Sequence, residues 1–160
     1  MFIPFQNLPD SSRIWIYQGE RLLSNAEVEK INIKAEKFVN EWTAHNLTLH
    51  AGFEIFHNLF LVLAVDEKQN DASGCSIDKS VHFIRQLEND SQISLLYRFN
   101  IAYKKNNLIE VKPLNDFLKY FKEEKIASSL SVFNNLIQTK GELSTNWEIP
   151  LSQSWLAHRI

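Results

Sequence analysis

Residues 59–65, Leu-Phe-Leu-Val-Leu-Ala-Val, form the longest apolar run of the chain. This run is far shorter than the roughly 20 residues that a membrane-spanning helix needs. An apolar run of this length, without polar residues at alternate positions, is typical of a strand at the centre of a sheet. We therefore predict a central strand here and no membrane partner.

The patterns around this run predict an α+β protein. Asn tolerates a positive φ angle, so His57-Asn58 is expected to turn a tight hairpin. The element order through residue 104 is β-α-β-β-α-β, which is the split βαβ or ferredoxin-like pattern with a mainly antiparallel sheet. An extra edge strand and a further helix follow it. The predicted strands are 13–18, 49–56, 59–66, 95–104 and 108–112, and the predicted helices run from Ser24 or Asn25 to about 42, from the turn around residue 75 to about 89, and from 113 to about 124.

The last third of the chain is predicted less regularly. Ser131 is a candidate N-cap for a helix across 132–137. Residues 147–160 are expected to form an extended arm, with Trp147 and Trp155 as its anchors. We predict one domain over 1–160, with a core of about 10–112 and a C-terminal helical extension and arm of about 113–160.

Composition excludes several classes of function. The formal net charge of −2 and a pI near 6.2 give no general attraction to nucleic acid. The single cysteine forbids an intrachain disulfide, and the first residues lack the basic start of a signal peptide, so we expect a cytoplasmic protein. The four glycines are isolated, which rules out a GxxxxGK[ST] phosphate loop and a GxGxxG turn. A P-loop ATPase is therefore not predicted, and neither is a cofactor.

The segment 71–78, Asp-Ala-Ser-Gly-Cys-Ser-Ile-Asp, is the strongest candidate for a site. It places small residues and the only thiol where a helix is predicted to begin, and helix N-termini bind anions and favour thiolates. A ferredoxin-like topology would bring this loop and loop 42–50 to one edge of the sheet. We predict that the edge formed by 42–50 and 66–79 binds a small anionic ligand or a partner. The residues expected to take part are Ser73, Gly74, Ser76, Asp66, His50 and Lys79.

Two alternatives stay open. In the first, the protein is an enzyme with Cys75 as nucleophile, His45 as base, and Asp66 or Asp78 orienting that base. In the second, it is an interaction protein that forms a homodimer through Trp15, Tyr17 and the C-terminal arm. A lone cysteine is also often just a small packed side chain. His45 and His50 lack a familiar zinc-ligand spacing, so no metal is predicted.

Four motifs of the chain belong together: Trp-Thr-Ala-His at 42–45, Leu-Ala-Val-Asp-Glu at 63–67, Ala-Ser-Gly-Cys-Ser-Ile-Asp-Lys-Ser-Val at 72–81, and Asn-Trp-Glu-Ile-Pro at 146–150 followed by Ser-Trp at 154–155. Together they resemble a family of small uncharacterised bacterial proteins, and the Ser-Gly-Cys-Ser-Ile-Asp element is the most specific of them. Proteins of that family often carry the automatic label "ABC transporter ATPase". This chain has neither a Walker A loop nor an LSGGQ-type signature, so the resemblance implies membership of the family and no mechanism.

Overall fold

The computed structural model describes residues 1–160, which form nine strands, three α-helices and four short 3-10 helices. None of the α-helices is both long and apolar enough to cross a membrane. In chain order the elements are β1 (Arg13–Gln18), α1 (Asn25–Glu41), β2 (Thr43–Ala44), β3 (Leu47–Thr48), β4 (Ala51–Phe56), β5 (Phe60–Val65), α2 (Gly74–Ser91), β6 (Asn100–Lys105), β7 (Leu108–Pro113), α3 (Leu114–Glu123), β8 (Ser131–Phe133) and β9 (Glu148–Pro150), and the 3-10 helices are Phe5–Asn7, Lys140–Ser144, Leu151–Gln153 and Trp155–Arg159.

The apolar run forms β5, the central strand of a three-stranded sheet with the order β1-β5-β4. Both neighbours are antiparallel to β5, and every residue of β5 is buried. His57 and Asn58, which join β4 to β5, both have positive φ angles of 56° and 51°. The predicted central strand and the tight hairpin before it are therefore confirmed.

A second, four-stranded sheet has the order β7-β6-β8-β9 and is antiparallel throughout. The α+β class with mainly antiparallel sheets is thus confirmed. The fourth strand predicted at 95–104 is different: it begins only at Asn100 and pairs with β7 and β8, not with β1. The physical reason is that strands on both sides, from 108–113 and 131–133, supply β6 with pairing partners of its own. Only three strands of the ferredoxin-like arrangement therefore share one sheet.

The helix predicted after Ser131 is wrong. Residues 131–133 form β8, which lies between β6 and β9 and is mostly buried. Pairing with distant strands overrides the weak local signal, as is common for short segments. The C-terminal arm is only partly extended, because β9 gives way to 3-10 helices at Leu151–Gln153 and Trp155–Arg159.

The elements stack in four layers, so the first sheet is covered on both faces. Odd-numbered residues of β5 pack with α1 and α2, and even-numbered residues pack with the second sheet. The outer face of the second sheet packs with α3 and the last 3-10 helices. Side chains representing these three interfaces are Leu63 with Val39 and Ile84, Val62 with Ala102 and Phe133, and Tyr103 with Phe117 and Leu156.

Trp15 and Tyr17 lie on the helix-facing side of β1. Trp15 contacts Trp42 edge-on at 5.8 Å between ring centroids, and Tyr17 is buried in the same cluster. Ile14 and Ile16 face the C-terminal part of the chain instead. The two aromatic residues therefore form no free surface, because α1 and α2 cover that face, and the homodimer through Trp15, Tyr17 and the C-terminal arm stays a prediction.

Gly52 allows the N-terminal segment to cross β4. A Cβ atom at this position would lie 2.3 Å from the Ile3 carbonyl oxygen, whereas a Cβ at Gly74 would meet no atom within 4 Å. We expect Gly52→Ala to lower the free energy of unfolding by about 1–3 kcal/mol, since the backbone has to shift. Urea denaturation measures this, with Gly74→Ala as the matched control within about 0.5 kcal/mol of the parent. Equal stabilities for the two variants would contradict the close crossing.

Burial lowers the pKa of His57 below its ordinary value of 6.5, and the nearby charge of Lys104 acts in the same direction. The unfolded chain therefore binds this proton more tightly than the folded one. The resulting stability is present above pH 6.5 and is lost as the pH falls below it.

We expect His57→Asn to reduce the loss of unfolding free energy between pH 8 and pH 5, because Asn keeps the positive φ angle but does not titrate. Urea denaturation at both pH values compares the variant with the parent. An unchanged pH dependence would show that other groups account for it.

Candidate functional site

The small-residue turn before α2 is a helix cap. The Ser73 and Ser76 side chains each accept a hydrogen bond from the other residue's backbone N–H group, at 3.2 and 2.7 Å. Trp42 Nε1 donates to the Ser76 carbonyl oxygen at 2.8 Å, which fastens the first turn of α2 to the end of α1. Much of the predicted binding loop thus serves to start and anchor this helix.

The two loops predicted to form the site do touch each other. Asn70 Nδ2 donates to the Thr48 carbonyl oxygen at 2.9 Å, and Lys79 Nζ donates to Thr43 Oγ1 at 3.2 Å. Asp66 N–H donates to the His50 carbonyl oxygen at 2.9 Å, while the Asp66 carboxylate accepts from the Lys68 N–H group.

Cys75 is exposed and lines a cavity of about 520 Å³ between α1 and α2. Asp78 and Lys79 line it as well, whereas His45, His50 and Asp66 do not. His45 lies in the turn between β2 and β3 with a φ angle of 51°, and no hydrogen bond joins it to Cys75. The structure therefore brings Cys75, Asp78 and Lys79 to one cavity, and His45 is not among the residues that line it.

His82 is a residue of this cavity that the sequence analysis missed. It lines the same wall as Cys75 and Asp78, and Gln86 Nε2 lies 3.3 Å from its Nε2 atom. The spacing of 75, 78 and 82 along α2 is the signal that would have placed them on one face. No group of three or more His, Cys, Asp or Glu side chains is arranged to hold a metal ion.

A second cavity, of about 390 Å³, opens beside β1 at the mouth between the two sheets. Its walls come from β1, from the segment before β6, from β8 and the residues after it, and from the last 3-10 helix. Thirteen of its eighteen lining residues are hydrophobic. Four of them are large and substantially exposed: Tyr97 (55 %), Phe99 (47 %), Leu136 (62 %) and Trp155 (36 %).

A smaller cavity of about 240 Å³ continues this one along β1. The two share Ile16, Tyr17, Arg98, Asn135 and Leu136 as lining residues. Together they form one groove, which we call the β1 cleft, along the side of β1 that faces away from β5.

Backbone groups of β1 point into the β1 cleft without partners. Gly19 N–H donates to the Leu59 carbonyl oxygen, so the backbone N–H and carbonyl groups of odd-numbered β1 residues point toward β5. The backbone groups of even-numbered β1 residues point to the open side of the strand. On that side Ile14 N–H donates to the Gln138 carbonyl oxygen at 2.9 Å. The Ile14 carbonyl and both backbone groups of Ile16 have no hydrogen-bond partner in the chain. They form a short free edge of the sheet.

The only charged residues that line the β1 cleft are Arg13 and Arg98. Arg13 lies over the Trp15 ring and 3.9 Å from a Glu67 carboxylate oxygen. Arg98 is exposed and takes part in no ion pair or hydrogen bond. The cleft is therefore apolar and positively charged in a chain whose net charge is negative.

The sequence analysis did not find the β1 cleft. Its residues come from four distant segments, and Tyr97 and Phe99 were assigned to a strand. Their exposure in a loop depends on where β6 begins, which local patterns do not fix.

No protein-family model, no curated protein and no solved structure matches this chain.

The exposed Cys75 thiol provides a direct test of the enzyme hypothesis. We expect it to react completely with Ellman's reagent in the folded protein, and at the same rate in His45→Ala, because no hydrogen bond links the two residues. The reaction is followed by absorbance under native conditions, with His82→Ala as a second variant. A marked fall in rate on loss of His45 alone would favour a Cys75–His45 pair.

Proposed function

We propose that this protein is a binding module whose β1 cleft takes an apolar ligand that carries a negative charge. The observation behind the proposal is the combination of exposed apolar walls with cationic side chains and no acidic residue in the lining. A cavity of this volume lies within the range of about 300–1,000 Å³ that ligand pockets occupy.

The free side of β1 also relates the fold to the ferredoxin-like pattern. In that pattern a fourth strand pairs with the first strand on the side away from the third. Here β1, β4 and β5 have the corresponding order and directions, while β6 belongs to the second sheet. We interpret the first sheet as a ferredoxin-like core whose fourth position is the β1 cleft.

The anion or partner site predicted at the loops 42–50 and 66–79 stays a prediction, as does the enzyme with Cys75, His45 and Asp78. The β1 cleft is preferred because Arg98, the Ile14 carbonyl group and both backbone groups of Ile16 lack partners within the chain. By contrast, Ser73, Ser76 and Lys79 already make hydrogen bonds that hold the fold together.

An anionic apolar dye, anilinonaphthalene sulfonate, tests the proposal by its fluorescence. We expect the folded protein to bind the dye, and Leu136→Asp to weaken binding by roughly tenfold, since it places a negative charge on an apolar wall that the anion contacts. Ile33→Asp is the matched control, because Ile33 is 67 % exposed on α1 and lines none of the cavities described.

Equal loss of dye binding in both variants would show that the dye reports general surface hydrophobicity. Absence of binding by the folded parent would overturn the proposed function. Circular dichroism of each variant shows whether the fold is retained.

A further inference from the structure

We propose that the occupant of the β1 cleft is an extended peptide segment that pairs with β1 as an additional strand. This inference rests on the proposed function and names the class of its ligand. The observation that supports it is that unpartnered backbone donors and acceptors lie along the same groove as the apolar walls. A dye or a lipid chain satisfies the apolar walls only, whereas a peptide in the extended conformation satisfies both.

The hydrogen-bonding pattern of β1 suits a strand. The Ile16 N–H and carbonyl groups point outward together, and the Ile14 carbonyl points the same way. An incoming antiparallel strand can exchange two hydrogen bonds with Ile16. The chain's own segments bound this free stretch at both ends, because Gln138 lies opposite Ile14 and Glu20 N–H donates to the Ser94 carbonyl oxygen just beyond β1. A peptide would continue that pairing toward Gln18.

The shape of the cleft favours a single segment over a second folded subunit. The edge of β1 lies between two walls, formed by residues 95–99 and 132–138. A neighbouring strand lies about 4.8 Å from its partner, which places it inside these walls. Direct edge-to-edge pairing of two copies of β1 would bring the walls of one copy against those of the other.

The side chains of the cleft indicate what the segment carries. Successive residues of a strand point to opposite faces of its sheet. The walls exposed around the groove are apolar and aromatic, so β-branched and aromatic residues fit it. Arg98 has no partner of its own and lines both parts of the cleft. The segment is therefore expected to be apolar with an acidic side chain or a free terminal carboxylate within reach of Arg98.

The test uses the full chain and hexapeptides of alternating valine or phenylalanine with threonine, ending in a free carboxylate. Binding is measured by displacement of anilinonaphthalene sulfonate, and amide hydrogen exchange is followed by NMR. We expect bound peptide to slow exchange of the Ile16 amide, which is otherwise unpartnered, and to leave the Tyr17 amide, which faces β5, unchanged.

Two matched comparisons isolate the backbone and the charge. N-methylation of the peptide residue that donates to the Ile16 carbonyl oxygen is expected to weaken binding by roughly tenfold, and N-methylation in the other register much less. Arg98→Glu is expected to weaken binding of the free carboxylate peptide, whereas Arg85→Glu on exposed α2 surface is the control.

The outcomes separate this inference from the proposed function. If the dye binds as expected but no peptide displaces it, or if both N-methyl registers bind alike, strand pairing is overturned and the apolar anionic site stands. If Ile16 becomes protected only as the protein dimerises at rising concentration, the occupant is a second copy and the peptide is overturned. If Leu136→Asp leaves dye binding unchanged, both proposals are overturned.

Discussion

Burial of both faces of β5 is the constraint on which the rest of the structure depends. A fully buried large apolar side chain contributes about 1.5–3 kcal/mol relative to an exposed one, and β5 supplies such side chains to both faces. One face is covered by α1 and α2. The other needs a second apolar layer, which the second sheet provides. The layered arrangement and the course of the last third of the chain both follow from this requirement.

The free backbone edges of β4 and β1, the two outer strands of the first sheet, are shielded by different segments of the chain. The N-terminal segment shields the edge of β4 at its first residue, since Ile3 N–H donates to the Ala51 carbonyl oxygen and Ala51 N–H donates to that of Met1. The edge of β1 is covered only where Gln138 and Lys140 reach it. Exposed strand edges invite pairing with other chains, and proteins usually shield them. What distinguishes the partly shielded β1 edge from the other strand edges is the apolar cleft in which it lies.

Local signals in the sequence were enough for the elements that depend on local chemistry. The Ser24 cap of α1, the capped start of α2 and the turn at His57-Asn58 follow from residue types that favour those backbone conformations. The start of β6 and the existence of β8 depend on strands far away in the chain, so local patterns did not determine them. The site prediction also depended on how distant strands pair. Cys75 and Asp78 do share a cavity, but His45 was expected beside them because of a topology that only three strands follow.

The contact between β1 and residues 138–140 also bears on how the chain is made. Ile14 and Ser12 bond to Gln138 and Lys140, and the Lys140 ammonium group donates to the Leu8 carbonyl oxygen. During translation, β1 emerges long before these partners. The edge therefore stays uncovered on the ribosome until residues 138–140 have been synthesised. Such late, long-range closure slows folding and prolongs exposure to aggregation.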